Sequence, residues 1–265
     1  MRILLIRHGD PDYVNDTLTE KGRREAALLA KRAVSMNMGE CYKSPLGSAG
    51  RQPPQRDQGQ PAADLEVTGK TAEILDWLQE FPAQVDLNKN PELEKAYPDV
   101  KKEGGYFLPR IAWDMVPGYW TEHEAYMDKN TWRETEVAKN SDLVEVYDHV
   151  IEEFDRFLAE HGYVREGAHY RVEKESDETV TFFCHFGISC VLLSHLWNVS
   201  PFVLWHSLAL APTSVTEVVT EEREQGTAYF RGLKVGDISH LYAGGEEPSF
   251  AARFCETYSN KEQRH

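Results

Sequence analysis

The sequence predicts an α/β protein: a three-layer, mostly parallel sheet with helices on both faces and an irregular insertion. Three observations predict it. Ile3-Leu4-Leu5-Ile6 is an unbroken aliphatic block, which suits a strand buried on both faces in the centre of a sheet. Thr179 to Cys184 is rich in β-branched and aromatic residues and reads as a second buried strand. Leu143, Val146, Tyr147, Val150, Phe154, Phe157 and Leu158 fall on one face of a helix, which Gly162 is placed to end.

The remaining elements follow in order. Thr19 can cap a helix beginning near Glu20, on which Ala26, Leu29, Ala30 and Ala33 share a face. Ala72 to Leu78 reads as a further strand. A helix runs from Ile188 to Trp197, and Pro201 limits its extension. Ser214 to Val219 and Thr227 to Leu233 are two late strands joined through Glu221 to Gly226. Between Phe81 and Ser141 the pattern is irregular, with Pro82, Pro91, Pro98, Pro109 and Pro117 interrupting it. Its aromatic residues Trp113, Tyr119, Trp120, Tyr126 and Trp132 fit either a lid over a site or the core of an accessory subdomain, with packing slightly favoured. The expected organisation is a single domain over 1–265 with a lid or accessory insertion at 82–141.

Composition bounds the function. With 265 residues and 41% hydrophobic content the chain can bury a core, and no apolar stretch is long enough for a membrane helix. Met1 leads straight into a strand, which leaves no room for a cleavable secretory signal. Cys41, Cys184, Cys190 and Cys255 lack a paired zinc spacing and read as intracellular free thiols, although four cysteines also permit disulfides. A cytoplasmic protein is expected. A net charge of −15 opposes nucleic-acid binding but not phosphate chemistry, because a few cations can focus a local field. Nothing in the sequence specifies an oligomeric partner.

Both buried strands end at a histidine. The first runs into Arg7-His8-Gly9 and the second into His185-Phe186-Gly187. Open α/β sheets bind ligands outside the carboxyl ends of their strands. An arginine offers a planar fork to phosphate oxygens, an unprotonated histidine can act as nucleophile, and glycine lets backbone approach an anion. Either tripeptide alone reads as a strand end capped by solvated residues. Two in matching contexts favour a shared anion site.

Four ordered pieces carry a resemblance to a known family: Arg7-His8-Gly9-Asp10, Leu18-Thr19-Glu20-Lys21-Gly22, Ser44-Pro45-Leu46-Gly47 and Cys184-His185-Phe186-Gly187. In this set the chain resembles the histidine phosphatase superfamily, the phosphoglycerate mutase-like proteins. The resemblance implies that His8 becomes transiently phosphorylated and that Arg7 and His185 line the phosphate pocket. An acidic residue would protonate the leaving oxygen, and Glu80 in Leu78-Gln79-Glu80-Phe81 sits in a segment similar to the family's acid-bearing one. Glu80 also reads as a surface glutamate at a strand end. Asp10 is expected to orient the loop or a histidine. Asn15 lies one residue off the family spacing from Arg7.

The chain departs from the family pattern after Ser-Pro-Leu. Ser48 stands where members carry an arginine that clamps the phosphate, and the block from Gly50 to Pro61 has three prolines and little periodicity. A mobile insertion, compensation by Arg51 or Arg56, and a local error in the gene sequence all fit. Other chemistries fit less well. Cys184 to Cys190 lacks the arginine of a cysteine phosphatase, and Gly187 to Val191 lacks the last glycine of a serine-hydrolase elbow. The remaining histidines form no metal-ligand motif; His195 and His206 read as structural or surface residues, and His240, in Asp237-Ile238-Ser239-His240, is left without a role.

The expected activity is hydrolysis of a small phosphate monoester through a phosphohistidine, with no metal or cofactor required. His8, Glu80 and His185 would be catalytic, and Arg7, His8 and His185 would bind phosphate, with Arg51 the candidate replacement for the missing arginine. Mutase-like phosphoryl transfer and a weakly active phosphate-binding protein are the alternatives.

Overall fold

A computed structural model describes residues 1–12, 15, 17–45, 68–250 and 257–259. The chain forms two compact units, one of Met1–Glu80, His161–Ser189 and Ala209–His265, the other of Phe81–Glu160 and Cys190–Leu208.

The first unit is built on an eight-stranded sheet: β1 (Arg2–Arg7), β2 (Glu40–Lys43), β3 (Ala72–Ile74), β4 (Tyr163–Glu166), β5 (His169–Val172), β6 (Thr179–Cys184), β7 (Val215–Glu224) and β8 (Thr227–Asp237). Its order is β4-β5-β8-β7-β1-β6-β2-β3. The β1–β6, β6–β2 and β2–β3 pairings are parallel, and the others are antiparallel. The α/β class holds, but the sheet is partly rather than mostly parallel. The late strands form a hairpin longer than the sequence suggests, because pairing runs past Val219 and Leu233 to Glu224 and Asp237.

Both faces of β1 are buried, as its aliphatic run requires. Leu4 and Ile6 pack with Cys41, Phe183 and Val215 from neighbouring strands and with Leu29 and Ala33 of helix α1 (Glu20–Ala33). Thr19 caps α1 by accepting the Gly22 N–H. Gly22 is glycine for a steric reason: a Cβ there would lie 2.4 Å from the Asp10 carbonyl oxygen. The helix can therefore start against the loop that follows His8. On the opposite face Phe182 meets the rings of Trp77 and Tyr42 at 5.8 and 5.7 Å.

The segment expected as a strand from Ala72 to Leu78 is a strand only to Ile74, and Asp76–Leu78 is a 3-10 turn. Trp77 and Leu78 are both buried, and a strand would send these neighbours to opposite faces.

In the second unit, helix α2 (Leu143–Glu160) buries the expected stripe except Val146, which is only half-buried. Gly162, just past its end in the first unit, has φ +91°. Pro91 and Pro117 open short helical turns, where their missing N–H costs nothing. Trp113 stacks on Trp205, Trp120 stacks on His206, and Tyr126 and Trp132 pack edge-on against Phe202. These aromatic side chains build a core within this unit. The same unit takes in 142–160 and 190–208 as well as the 82–141 segment.

Two of the remaining histidines are tied within this unit. His195 Nε2 lies 2.9 Å from both Asp155 oxygens, and His206 donates to the Phe202 carbonyl while accepting from Met115 N–H. No helix among the described residues is long and apolar enough to cross a membrane.

Candidate active site

The site grows from one parallel register. Arg7 at the end of β1 is the partner of Cys184 at the end of β6, so His8 and His185 leave the sheet side by side. Their ring centroids are 4.9 Å apart and tilted by 57°. His8 stays tied to the neighbouring strand through its N–H, which donates to the Cys184 carbonyl at 3.1 Å.

The hydrogen bonds assign the His8 tautomer. Its Nδ1 lies 2.7 Å from the Gly9 carbonyl, which can only accept, so Nδ1 carries the proton and Nε2 keeps its lone pair. Burial, followed by the neighbouring His185 and Arg7, holds the His8 pKa well below the ordinary histidine range. Burial and Arg7 likewise lower His185 to about 4. Near neutral pH both imidazoles are uncharged beside a cation, the state a histidine nucleophile needs.

Arg7 is buried and donates through Nη1 to the Leu210 carbonyl. Its own backbone is held from the other side of the sheet, where Arg7 N–H donates to Ser214 O and Thr213 N–H donates to the carbonyls of Arg7 and His8. Thr213 has φ +62°. A β-branched residue there is strained by about 1–3 kcal/mol and persists because its surroundings hold it.

Ser44, the first residue after β2, brings the third parallel strand into the site. Its hydroxyl donates to the Pro45 carbonyl and accepts from His185 Nε2 at 3.0 Å. The sequence places Ser44 in the Ser44-Pro45-Leu46-Gly47 motif but gives it no role. Thr213 was also missed. Its place after Pro212 is written in the sequence, but its backbone conformation is not.

Glu80 follows the 3-10 turn after β3 and ends the first of the three segments of this unit. Its Oε1 accepts the Ile188 N–H at 3.1 Å, in the first turn of helix α3 (Phe186–Trp197). That contact fixes the position of the carboxyl group. Glu80 is near enough to act electrostatically on His8. The structure therefore gathers Arg7, His8, His185 and Glu80 at the carboxyl ends of β1, β6 and β3. Asp10 has a different place: its carboxylate accepts the Thr19 hydroxyl at 2.7 Å and its carbonyl accepts the Thr19 N–H. Asn15 pairs with Asp12. Ser48, Arg51 and Arg56 lie outside the described residues.

Cys184 is buried beside these groups, and burial pushes its thiol up to about 12. It stays protonated at neutral pH and is a poor nucleophile. Cys41 and Cys190 are also buried and stand outside any disulfide. No group of three metal-ligating side chains occurs among the described residues.

No family model and no curated sequence matches the chain. Solved structures do. Mycobacterial hydrolase 1 aligns with a TM-score of 0.52 at 14% identity, covering 89% of this chain and 98% of that one. YhfR of Bacillus stearothermophilus aligns with a TM-score of 0.50 at 16% identity, covering 91% and 98%. The product of the open reading frame Rv3214 from Mycobacterium tuberculosis aligns at 0.51 and 14% identity, covering 89% and 96%. Such neighbours are histidine phosphatase superfamily members. The chain has the histidine phosphatase fold. Within that fold, the half of the sheet formed by β1, β6, β2 and β3 carries the paired histidines at its carboxyl edge.

Proposed function

We propose that the protein hydrolyses small phosphate monoesters through a phosphohistidine on His8. The observation that carries this reading is the Arg7–Cys184 register, which sets a lone-pair-bearing His8 beside His185 and next to the Arg7 guanidinium. Arg7 and the Nε2–H of His185 attract the phosphoryl oxygens. His8 Nε2 attacks phosphorus, the P–O bond to the alcohol breaks, and Glu80 as carboxylic acid gives its proton to the departing oxygen. Water then attacks the phosphohistidine, its proton returns to Glu80, and inorganic phosphate leaves with His8 restored.

The geometry supports each role in turn. His8 needs no base, because its nucleophilic nitrogen is already unprotonated near neutral pH. His185 is turned by Ser44 so that the same N–H can exchange one oxygen acceptor for another. Glu80 is held by the Ile188 N–H within electrostatic reach of His8, where its carboxyl group can serve the leaving oxygen.

Phosphate release should be measured over a panel of small phosphomonoesters, with acid-quenched samples searched for phosphohistidine. Turnover with phosphate trapped on His8, and loss of both in a folded His8→Ala protein, is the expected result. Full activity of His8→Ala would overturn the assignment. An isomerised phosphate ester in place of free phosphate would mark a mutase, and phosphate binding without turnover would mark a binding protein.

A further inference from the structure

We infer that His240 is a positioning residue for the Arg7–His8 strand end, acting through Thr213. His240 is the second residue of a short helix, α4 (Ser239–Ala243), and lies in the first unit with the site. It does not touch the histidine pair. It is buried, and it forms the middle of a chain of polar contacts that runs from the sheet's far hairpin to the site.

The chain begins at Asp237, whose carboxylate pairs with Arg32 Nη2 at 2.7 Å. Arg32 Nη1 then faces His240 Nδ1 at 3.4 Å. A guanidinium can only donate, so Nδ1 is the acceptor and Nε2 carries the proton. That Nε2–H reaches Thr213 Oγ1 at 3.0 Å. Burial and the Arg32 charge together lower the His240 pKa to about 4, which keeps this single-proton tautomer across the physiological range.

Thr213 is the element this chain controls. Its left-handed backbone, at φ +62°, lets one N–H bridge the carbonyls of both Arg7 and His8, at 3.1 and 3.2 Å. A threonine left to itself avoids that conformation. The side-chain hydrogen bond from His240 offers a specific reason for it to stay. Releasing it would let Thr213 relax and free the two carbonyls that set the direction of the nucleophile. Catalysis is sensitive to such displacements, because the attacking atom must be held in line with the bond it breaks.

The effect on turnover rests on the phosphatase reading, whereas the effect on the backbone does not, so two readouts separate them. Amide hydrogen exchange at Thr213 and Arg7 reports the strand end directly, and kcat on an active phosphomonoester reports its use. His240→Ala should speed exchange at Thr213 at least tenfold relative to the central strands and lower kcat about tenfold with little change in KM. His240→Gln, whose amide nitrogen can occupy the Nε2 position, should restore most of both. Thr213→Val, which keeps the branched shape and removes the acceptor, should match His240→Ala, and the double variant should be no worse than either alone. If the wild-type protein shows no turnover, the phosphatase reading fails and the exchange data alone decide the positioning role. Unchanged local exchange in His240→Ala would overturn it. So would a uniform rise in exchange across the sheet with no rescue by glutamine, since that marks a merely structural histidine.

Discussion

Arg7 and Cys184 are partners in the parallel pairing of β1 with β6, and the next residue on each strand is a histidine. This one register brings together side chains 177 positions apart in the sequence. A shift by one residue would separate the two rings and turn every core side chain of β1 to the wrong face. The buried central strand and the pairing of the two histidines therefore depend on the same hydrogen-bond ladder.

The uncharged histidines set a pH dependence for activity. Because burial lowers both His8 and His185, kcat/KM should hold its plateau well below pH 6.5 and fall only near pH 5 or lower. A pH–rate profile on an activated phosphomonoester checks this. An acid limb at the ordinary histidine value near 6.5 would contradict the buried-pair geometry.

Stability should change over the same range, with a sign that can be worked out. His185 and His240 each bind a proton in the unfolded chain near pH 6.5 but in the fold only near pH 4. Between those values the unfolded state holds more protons, so stability rises with pH, by up to roughly 3 kcal/mol for each. His8 acts in the same direction. Glu25 opposes them: burial raises it to about 7, so its contribution is full below 4.5 and is lost as pH rises through 7. The three histidines outweigh it, and the urea midpoint should increase from pH 4.5 to 6.5. In Glu25→Gln that increase should become steeper.

Glu80 and Asp10 should separate cleanly by leaving group. Glu80→Gln is expected to slow alkyl phosphates by about 10²-fold or more while affecting a nitrophenyl phosphate far less, because a good leaving group needs little protonation. Asp10→Asn should instead weaken the Thr19 connection and cost about 1 kcal/mol of stability, without discrimination between leaving groups. Steady-state kinetics on the substrate pair, with thermal melts, decides the assignment. If Asp10→Asn alone gave the selective loss, the acid role would move to Asp10.

Cys184 offers a control for the choice of nucleophile. Its buried thiol, raised to about 12, should resist alkylation in the folded protein, and Cys184→Ser should keep turnover within several-fold. Loss of all activity on that exchange, with the fold retained, would favour a thiol mechanism over the histidine one.

The Ser48 departure supplies the last test. If position 48 still faces the phosphate, Ser48→Arg should tighten inhibition by inorganic phosphate about tenfold or more, through a charge-assisted contact. If Arg51 has taken over that contact, Arg51→Ala should weaken inhibition by a similar factor. Phosphate inhibition constants measure both. Two folded variants with unchanged constants would remove both the missing-clamp and the compensation readings.

Much of the frame was legible in the sequence because its signals are local. The aliphatic block of β1, the β-branched run of β6, the Thr19 cap and the apolar stripe of α2 each follow from neighbouring residues and a fixed period. The placement of His8 and His185 at strand ends was legible for the same reason. What followed Ile74 was not, because the buried Trp77–Phe182 contact ended the strand in favour of a 3-10 turn. The antiparallel half of the sheet was also hidden, since strand order depends on pairings between distant segments.

The sequence by itself determined which residues stand at the strand ends: an arginine and two histidines, following strands that must be buried. Only the tertiary structure decided how they are aimed. Ser44 turns His185, Ile188 N–H holds Glu80, and Thr213 fixes the carbonyls of Arg7 and His8 with His240 behind it. Each of these contacts joins segments far apart in the chain, and each depends on a strand register or a backbone angle that no local pattern encodes. Residue type limits what a side chain can do, whereas direction and distance exist only once the sheet has closed.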